Sequence, residues 1–319
     1  MIPLEAIAAD ARESIRIFRE ARQVSLQDAG PAEARDTYAA TCRASGPPDD
    51  GSVRTRDVLV ADIPCRVYLL ENDRASAPRP AVLFLHGGGW VIGDLETHDL
   101  LCRALTRATG ARILAVDYRR APEHRFPAAH DDACAVARTI LSGDCGLLDP
   151  ARVVVMGDSA GGNLAAWVAA ESAHDRFAHR FVGQVLLYPV VDLIGPRPSY
   201  QRITEGFPLT SATMRWFAKS YAPQCEMWTD PRLSPLLYTT VAQAPAFLLT
   251  VGLDPLADEG IAYASALASA GTAIEHIHLP RHSHGLATAA GRIPTGQRVI
   301  GQAAAFVRRL IGERAVHDR

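Results

Sequence analysis

The chain has 319 residues, 48% of them hydrophobic and 21% charged, and carries a formal net charge of −2. That length suits one large α/β domain with a buried core, or two small domains. The near-neutral balance gives no electrostatic footprint for nucleic acid or an anionic membrane, so neither is an expected partner.

Lys219 is the only lysine and every other basic side chain is an arginine, a bias that reads as coding preference rather than a binding patch. The six cysteines (Cys42, Cys65, Cys102, Cys134, Cys145 and Cys225) show no C-x-x-C pair. This predicts free thiols in a reducing compartment. Glu5, Asp10 and Glu13 interrupt any apolar leader, and no stretch approaches the length of a membrane span. The expectation is a cytoplasmic protein, with room for a homodimer.

In chain order, Leu4, Ile7, Ala11, Ile15 and Phe18 recur at helical spacing and predict one amphipathic helix over 2–18. A second helical segment opens at Pro31, and the Gly/Pro/Asp-rich linker 45–52 closes this N-terminal arm. Segments 53–60 and 63–70 alternate, with Ile63, Cys65, Val67 and Leu69 on one face of the second. Only Ala61 and Asp62 separate them, which predicts an antiparallel hairpin.

Short continuous apolar runs follow at 81–85, 112–116, 152–156, 184–188 and 246–251, as expected of strands buried on both faces. Helix-length segments 97–109, 127–142 and 160–174 lie between them. A last strand over 274–279 precedes a helix near 296–312. Strands alternating with helices predict an α/β fold on a mostly parallel eight-stranded sheet. About 55 residues separate the runs at 184–188 and 246–251; they carry Tyr200, Phe207, Trp216, Phe217, Tyr221 and Trp228, and so read as a lid.

Gly157-Asp158-Ser159-Ala160-Gly161 fits G-x-S-x-G between a strand and a helix. A nucleophile elbow needs that sharp turn and small flanking residues. The helix start behind it offers the Ala160 N–H to a developing oxyanion. His86-Gly87-Gly88-Gly89 directly follows run 81–85, where glycines can turn backbone N–H groups toward an oxygen. The expected donors are Gly87, Gly88 and Ala160, with His86 locking the loop.

HGGGW (86–90), DYRRAPEHRFPA (117–128), GDSAGG (157–162), DPLADE (254–259) and the final HG (284–285) together resemble the hormone-sensitive lipase family of α/β-hydrolases. The resemblance implies that family's fold, esterase activity and helical cap. The implied layout is a cap segment over 1–50 and a catalytic domain over 51–319, with a cap insertion at about 195–230. Arg120 stands where a leucine is usual and Leu286 where a phenylalanine is usual.

The acid is expected after run 246–251. Asp254 comes soonest and matches the family motif, with Asp258 the alternative and the remaining acidic groups, Glu259 included, solvated helix-start carboxylates. The base must follow the acid in this fold. His284 fits the HG motif; His282 is the alternative, while His276 and His278 pack or face solvent. Closely spaced histidines can also bind zinc, but no carboxylate sits among them and the glycine loop would then have no purpose.

Asp158, beside the expected substrate pocket, and Asn163 brace the elbow, and Glu123 is structural. Trp90 either lines the substrate pocket or packs in the core. The chemistry expected is acyl transfer through Ser159, His284 and Asp254, with no metal or organic cofactor. The rivals are a deacetylase or amidase acting on a specialised metabolite, and a ligand receptor on the same fold, which would typically lack the histidine.

Overall fold

The computed structural model describes residues 1–21, 25–73, 78–195 and 197–313. The expected catalytic domain therefore extends over 314–319, and the cap insertion over 196, outside the described residues.

Strands β1 (Val53–Val60) and β2 (Ile63–Leu70) form the predicted hairpin. Both turn residues have positive φ, 51° at Ala61 and 62° at Asp62, the backbone of a type I′ turn that matches strand twist. Six further strands complete one sheet: β3 (Arg79–Leu85), β4 (Arg112–Val116), β5 (Leu148–Asp158), β6 (Gly183–Leu187), β7 (Ala246–Leu253) and β8 (Ile274–Ser283). Their order is β1-β2-β4-β3-β5-β6-β7-β8, parallel from β4 onward, with β2 antiparallel to β4.

The apolar runs are continuous because both sheet faces are covered. Ala81, Leu83, Leu85, Val153 and Val155 face one side; Val82, Phe84, Val154 and Met156 face the other. On the first side pack α4 (Ala128–Ser142), α5 (Ala160–Ala173) and α8 (Ala257–Ser269). On the second lie α3 (Asp99–Thr109) and α9 (Pro294–Glu313). Each Val or Leu fully buried this way contributes about 1.5–3 kcal/mol.

The N-terminal arm differs from its expected form. Instead of one helix over 2–18 there is a single 3₁₀ turn, Leu4–Ala6, an extended residue at Ile7, and then α1 (Arg12–Glu20). Tertiary bonds divert the backbone. The Ala8 N–H donates to the Arg281 carbonyl at 2.9 Å, and the Arg281 guanidinium caps the carbonyls of Glu5, Ala6 and Ile7. Ile7, Ala11 and Ile15 are nonetheless buried.

Helix α2 (Leu26–Ser45) is interrupted at Gly30, φ 78°, so regular helix opens at Pro31, where a missing N–H costs nothing. The insertion between β6 and β7 carries α6 (Pro198–Arg202) and α7 (Ser211–Tyr221). All six cysteines are free thiols. No helix among the described residues is long and apolar enough to cross a membrane.

Candidate active site

The parallel strands end on one side, and their carboxyl ends deliver the candidate residues. Ser159 is the single residue between β5 and α5, with φ 55° and ψ −120°. An L residue held there stores about 1–3 kcal/mol of strain, sustained by its surroundings. The Ser159 N–H donates to the Leu187 carbonyl and its own carbonyl accepts from Val190 and Asn163. At Gly161 a methyl group would overlap the Leu85 carbonyl oxygen, so only glycine lets α5 start this close to β3.

Asp254 follows β7 and is fully buried, while His284 follows β8. His284 Nδ1 lies 2.6 Å from Asp254 Oδ2, and its Nε2 lies 2.9 Å from Ser159 Oγ. The second Asp254 oxygen accepts the Leu256 N–H at 2.9 Å, which fixes the carboxylate plane. Because Nδ1 faces an acceptor-only carboxylate, it carries the proton and leaves the Nε2 lone pair toward the serine hydroxyl.

The other candidates part company with this trio. His282 Nε2 reaches Asp10 Oδ1 at 3.1 Å. His276 and His278 both reach the Thr250 hydroxyl at 2.8 Å. Asp258 accepts the Ser199 N–H at 2.8 Å. Glu259 is not a solvated helix-start group: it is fully buried, accepts the Val191 N–H at 2.8 Å, and burial pushes its pKa well above the ordinary carboxyl value.

The donor set needs one correction. The Gly87 N–H points at Asp158 Oδ1, 2.9 Å away, with His98 Nε2 at 3.3 Å. It is therefore spent within the protein, and the N–H groups of this loop's glycines without an acceptor among the described residues are those of Gly88 and Gly89. Asp158 earns its place as the brace of this loop and sits at the cavity floor. Burial would raise its pKa, but the His98 charge and hydrogen bond outweigh that and hold it below the ordinary carboxylate value.

His86 stacks on Tyr118 at 4.1 Å, and its carbonyl accepts the Tyr118 hydroxyl at 2.6 Å. Burial, reinforced by His98, lowers its pKa to about 3, so it is a neutral packing group. Trp90 does not reach the cavity. It is fully buried and stacks on Tyr221 at 5.0 Å, so the packed alternative is the one realised.

Asn163 bridges His130 at 3.0 Å and the Leu233 carbonyl at 3.2 Å. Glu123 pairs with Arg35 of α2 at 2.7 Å. Arg120 donates to the Gly93 carbonyl at 2.5 Å, and Leu286 is buried in the core.

Above the trio lies a cavity of about 550 Å³. Gly88, Gly89, Ser159 and His284 form its floor; Ile15, Phe18, Tyr38 and Cys42 of the N-terminal arm form one wall, and Phe207, Leu209 and Phe217 of the insertion another. Burial pushes the Cys42 thiol up to about 12, which leaves it an inert wall group. Tyr188 was not legible as a site residue: its hydroxyl accepts the Ala287 N–H at 3.1 Å and its ring lies 4.7 Å from the His284 ring.

Residues 82–288 match the sequence profile of a family described as alpha/beta hydrolase fold. The chain belongs to that family. This α/β-hydrolase is 38% identical over 286 residues to an ethyl acetate hydrolase of Pseudomonas putida, covering 89% of this chain and 85% of that one. It is 35% identical over 261 residues to the carboxylesterase NlhH of Mycobacterium tuberculosis, covering 79% and 80%. Among solved structures it superposes on an ester hydrolase from the metagenome of Lake Arreo, complexed with a derivative of bipyridine phosphonate. That match has a TM-score of 0.88 and 33% identity, and covers 96% of this chain and 99% of the other.

Proposed function

We propose that the protein is a serine carboxylesterase for short- to medium-chain esters, with Ser159 as nucleophile, His284 as general base and Asp254 as orienting acid. The observation that carries this reading is the unbroken relay from Asp254 through His284 to Ser159 at 2.6 and 2.9 Å. The named relatives, an ethyl acetate hydrolase and a carboxylesterase, support the same reading.

His284 takes the Ser159 proton as Oγ attacks the ester carbonyl, and Asp254 holds the tautomer and stabilises the imidazolium. The N–H groups of Gly88, Gly89 and Ala160 receive the oxyanion; one such donor is typically worth about 10²–10³ in kcat. Protonated His284 then delivers its proton to the leaving alcohol. Water activated by the same imidazole releases the acid.

A roofed cavity of this size limits chain length. Each methylene that fits gains about 0.8 kcal/mol, and each that does not must displace the roof. Best turnover is expected for aryl esters of roughly two to eight acyl carbons, with little activity on long-chain triglycerides. Ser159→Ala should lower kcat by a factor on the order of 10⁶ while leaving the far-UV spectrum unchanged. An aryl phosphonate should label the parent on Ser159 alone. Activity of Ser159→Ala within tenfold of the parent would overturn the proposal.

A further inference from the structure

Resting on the ester-hydrolase reading, we infer that cap helix α7 is the element that positions the oxyanion donor Gly89, with Phe217 its positioning residue. The glycine loop after β3 holds Gly88 itself, whose carbonyl accepts the Val91 and Ile92 N–H groups at 3.1 and 2.9 Å, but Gly89 makes no backbone hydrogen bond among the described residues. Gly88 and Gly89 have φ of 118° and 60°, and their N–H groups find no acceptor among the described residues. A glycine as free as Gly89 loses the most entropy on being held, so something outside the loop must define its geometry.

The structure supplies that restraint from above. The Phe217 ring lies directly on the Gly89 α-carbon, so closely that a β-carbon there would overlap three of the ring carbons. Phe217 is itself buried and lines the cavity beside Ser159. One helical turn on, Tyr221 stacks on Trp90 with an interplanar angle of 16°. Residues 217 and 221 share a helix face, so a single face of α7 grips two consecutive residues of the loop.

The helix is in turn anchored on both sides. Thr213 Oγ1 donates to Gln27 Oε1 of α2 at 2.9 Å, and Tyr221 Oη lies 2.8 Å from His130 Nδ1. Helix α2 then reaches the far end of the same loop, where Arg35 Nε donates to the Val91 carbonyl at 2.9 Å. Gly88 is thus set by the loop's own turn, and Gly89 by the cap piece that lies on it.

The test uses the full chain with Phe217→Leu and Phe217→Ala. It measures kcat and KM on p-nitrophenyl acetate per titrated serine, and Ki for an aryl trifluoromethyl ketone. That ketone accepts Ser159 Oγ at its carbonyl carbon and places the resulting oxyanion in the donor site. Displacing donors by about 1 Å costs on the order of 10²-fold, so Phe217→Ala should lose about that much in kcat with KM within about threefold. Ki should weaken in step, and Phe217→Leu should recover most of both.

Unchanged kcat per titrated serine, or a lower kcat with unchanged Ki, would overturn the inference and leave Phe217 as a cavity wall. Should Phe217→Ala fail to fold, the same criteria applied to Phe217→Leu decide. A Ser159→Ala protein that retained activity would instead sink the esterase reading itself, independently of any Phe217 variant.

Discussion

His130 is a group whose titration should be visible in the stability of this protein. It is buried between α4, α5 and the insertion. Its Nε2 faces two acceptors, Asn163 Oδ1 at 3.0 Å and the Arg232 carbonyl at 3.1 Å, so that nitrogen carries the hydrogen. Its Nδ1 accepts from the Tyr221 hydroxyl at 2.8 Å. The ring is satisfied as neutral imidazole, and burial lowers its pKa from 6.5 to about 4 against the opposing bonds to Asn163 and Arg232.

Below pH 6.5 the unfolded chain therefore binds a proton that the native state refuses until about pH 4. Stability from this group is complete above pH 6.5, falls as the pH drops through the window, and stops falling near 4. Linkage puts the loss at about 2 kcal/mol by pH 5 and about 3 kcal/mol at the acid limit. Urea unfolding at pH 8 and pH 5, for the parent and His130→Gln, isolates the effect as a difference of differences. His86 titrates in the same direction but contributes equally to both proteins. If His130→Gln lost as much stability between the two pH values as the parent does, the neutral, buried assignment would be wrong.

Two further outcomes follow from the packing. Gly161→Ala should give little folded protein or none, because its methyl would collide with the Leu85 carbonyl at the base of the elbow; a soluble variant with parental kcat would refute that close approach. Removing residues 1–48 should uncover Phe207, Phe217 and the cavity, lower solubility and raise KM on short esters; unchanged solubility and kinetics would mean the arm is no part of the roof.

The central strands were legible because they are buried on both faces, a condition that writes itself into the chain as uninterrupted runs such as 152–156. The trio was legible because its members must follow strand ends in a set order, here those of β5, β7 and β8. What escaped was decided by partners distant in sequence. Gly87 looked like a donor until its N–H met Asp158, 71 residues later. The break after Ala6 depends on Arg281, and the burial of Glu259 on the amides of Val191 and Asp192. Phe217 and Tyr188 carry no motif, and only packing shows what they touch.

The bonds between the first ten residues and the end of β8, just before His284, bear on how the protein is made. Arg281 and His282 are held by residues 5–10 at a separation of about 275 positions, and Asp10 also receives the Thr295 N–H. On a ribosome the elbow and the glycine loop emerge while the histidine that serves them is still untranslated. Residues 5–10 must then wait for Arg281, His282 and Thr295 before these bonds can form. Synthesis thus leaves a long interval in which Ser159 exists without His284, and the contacts of residues 5–10 with Arg281, His282 and Thr295 form only at its end.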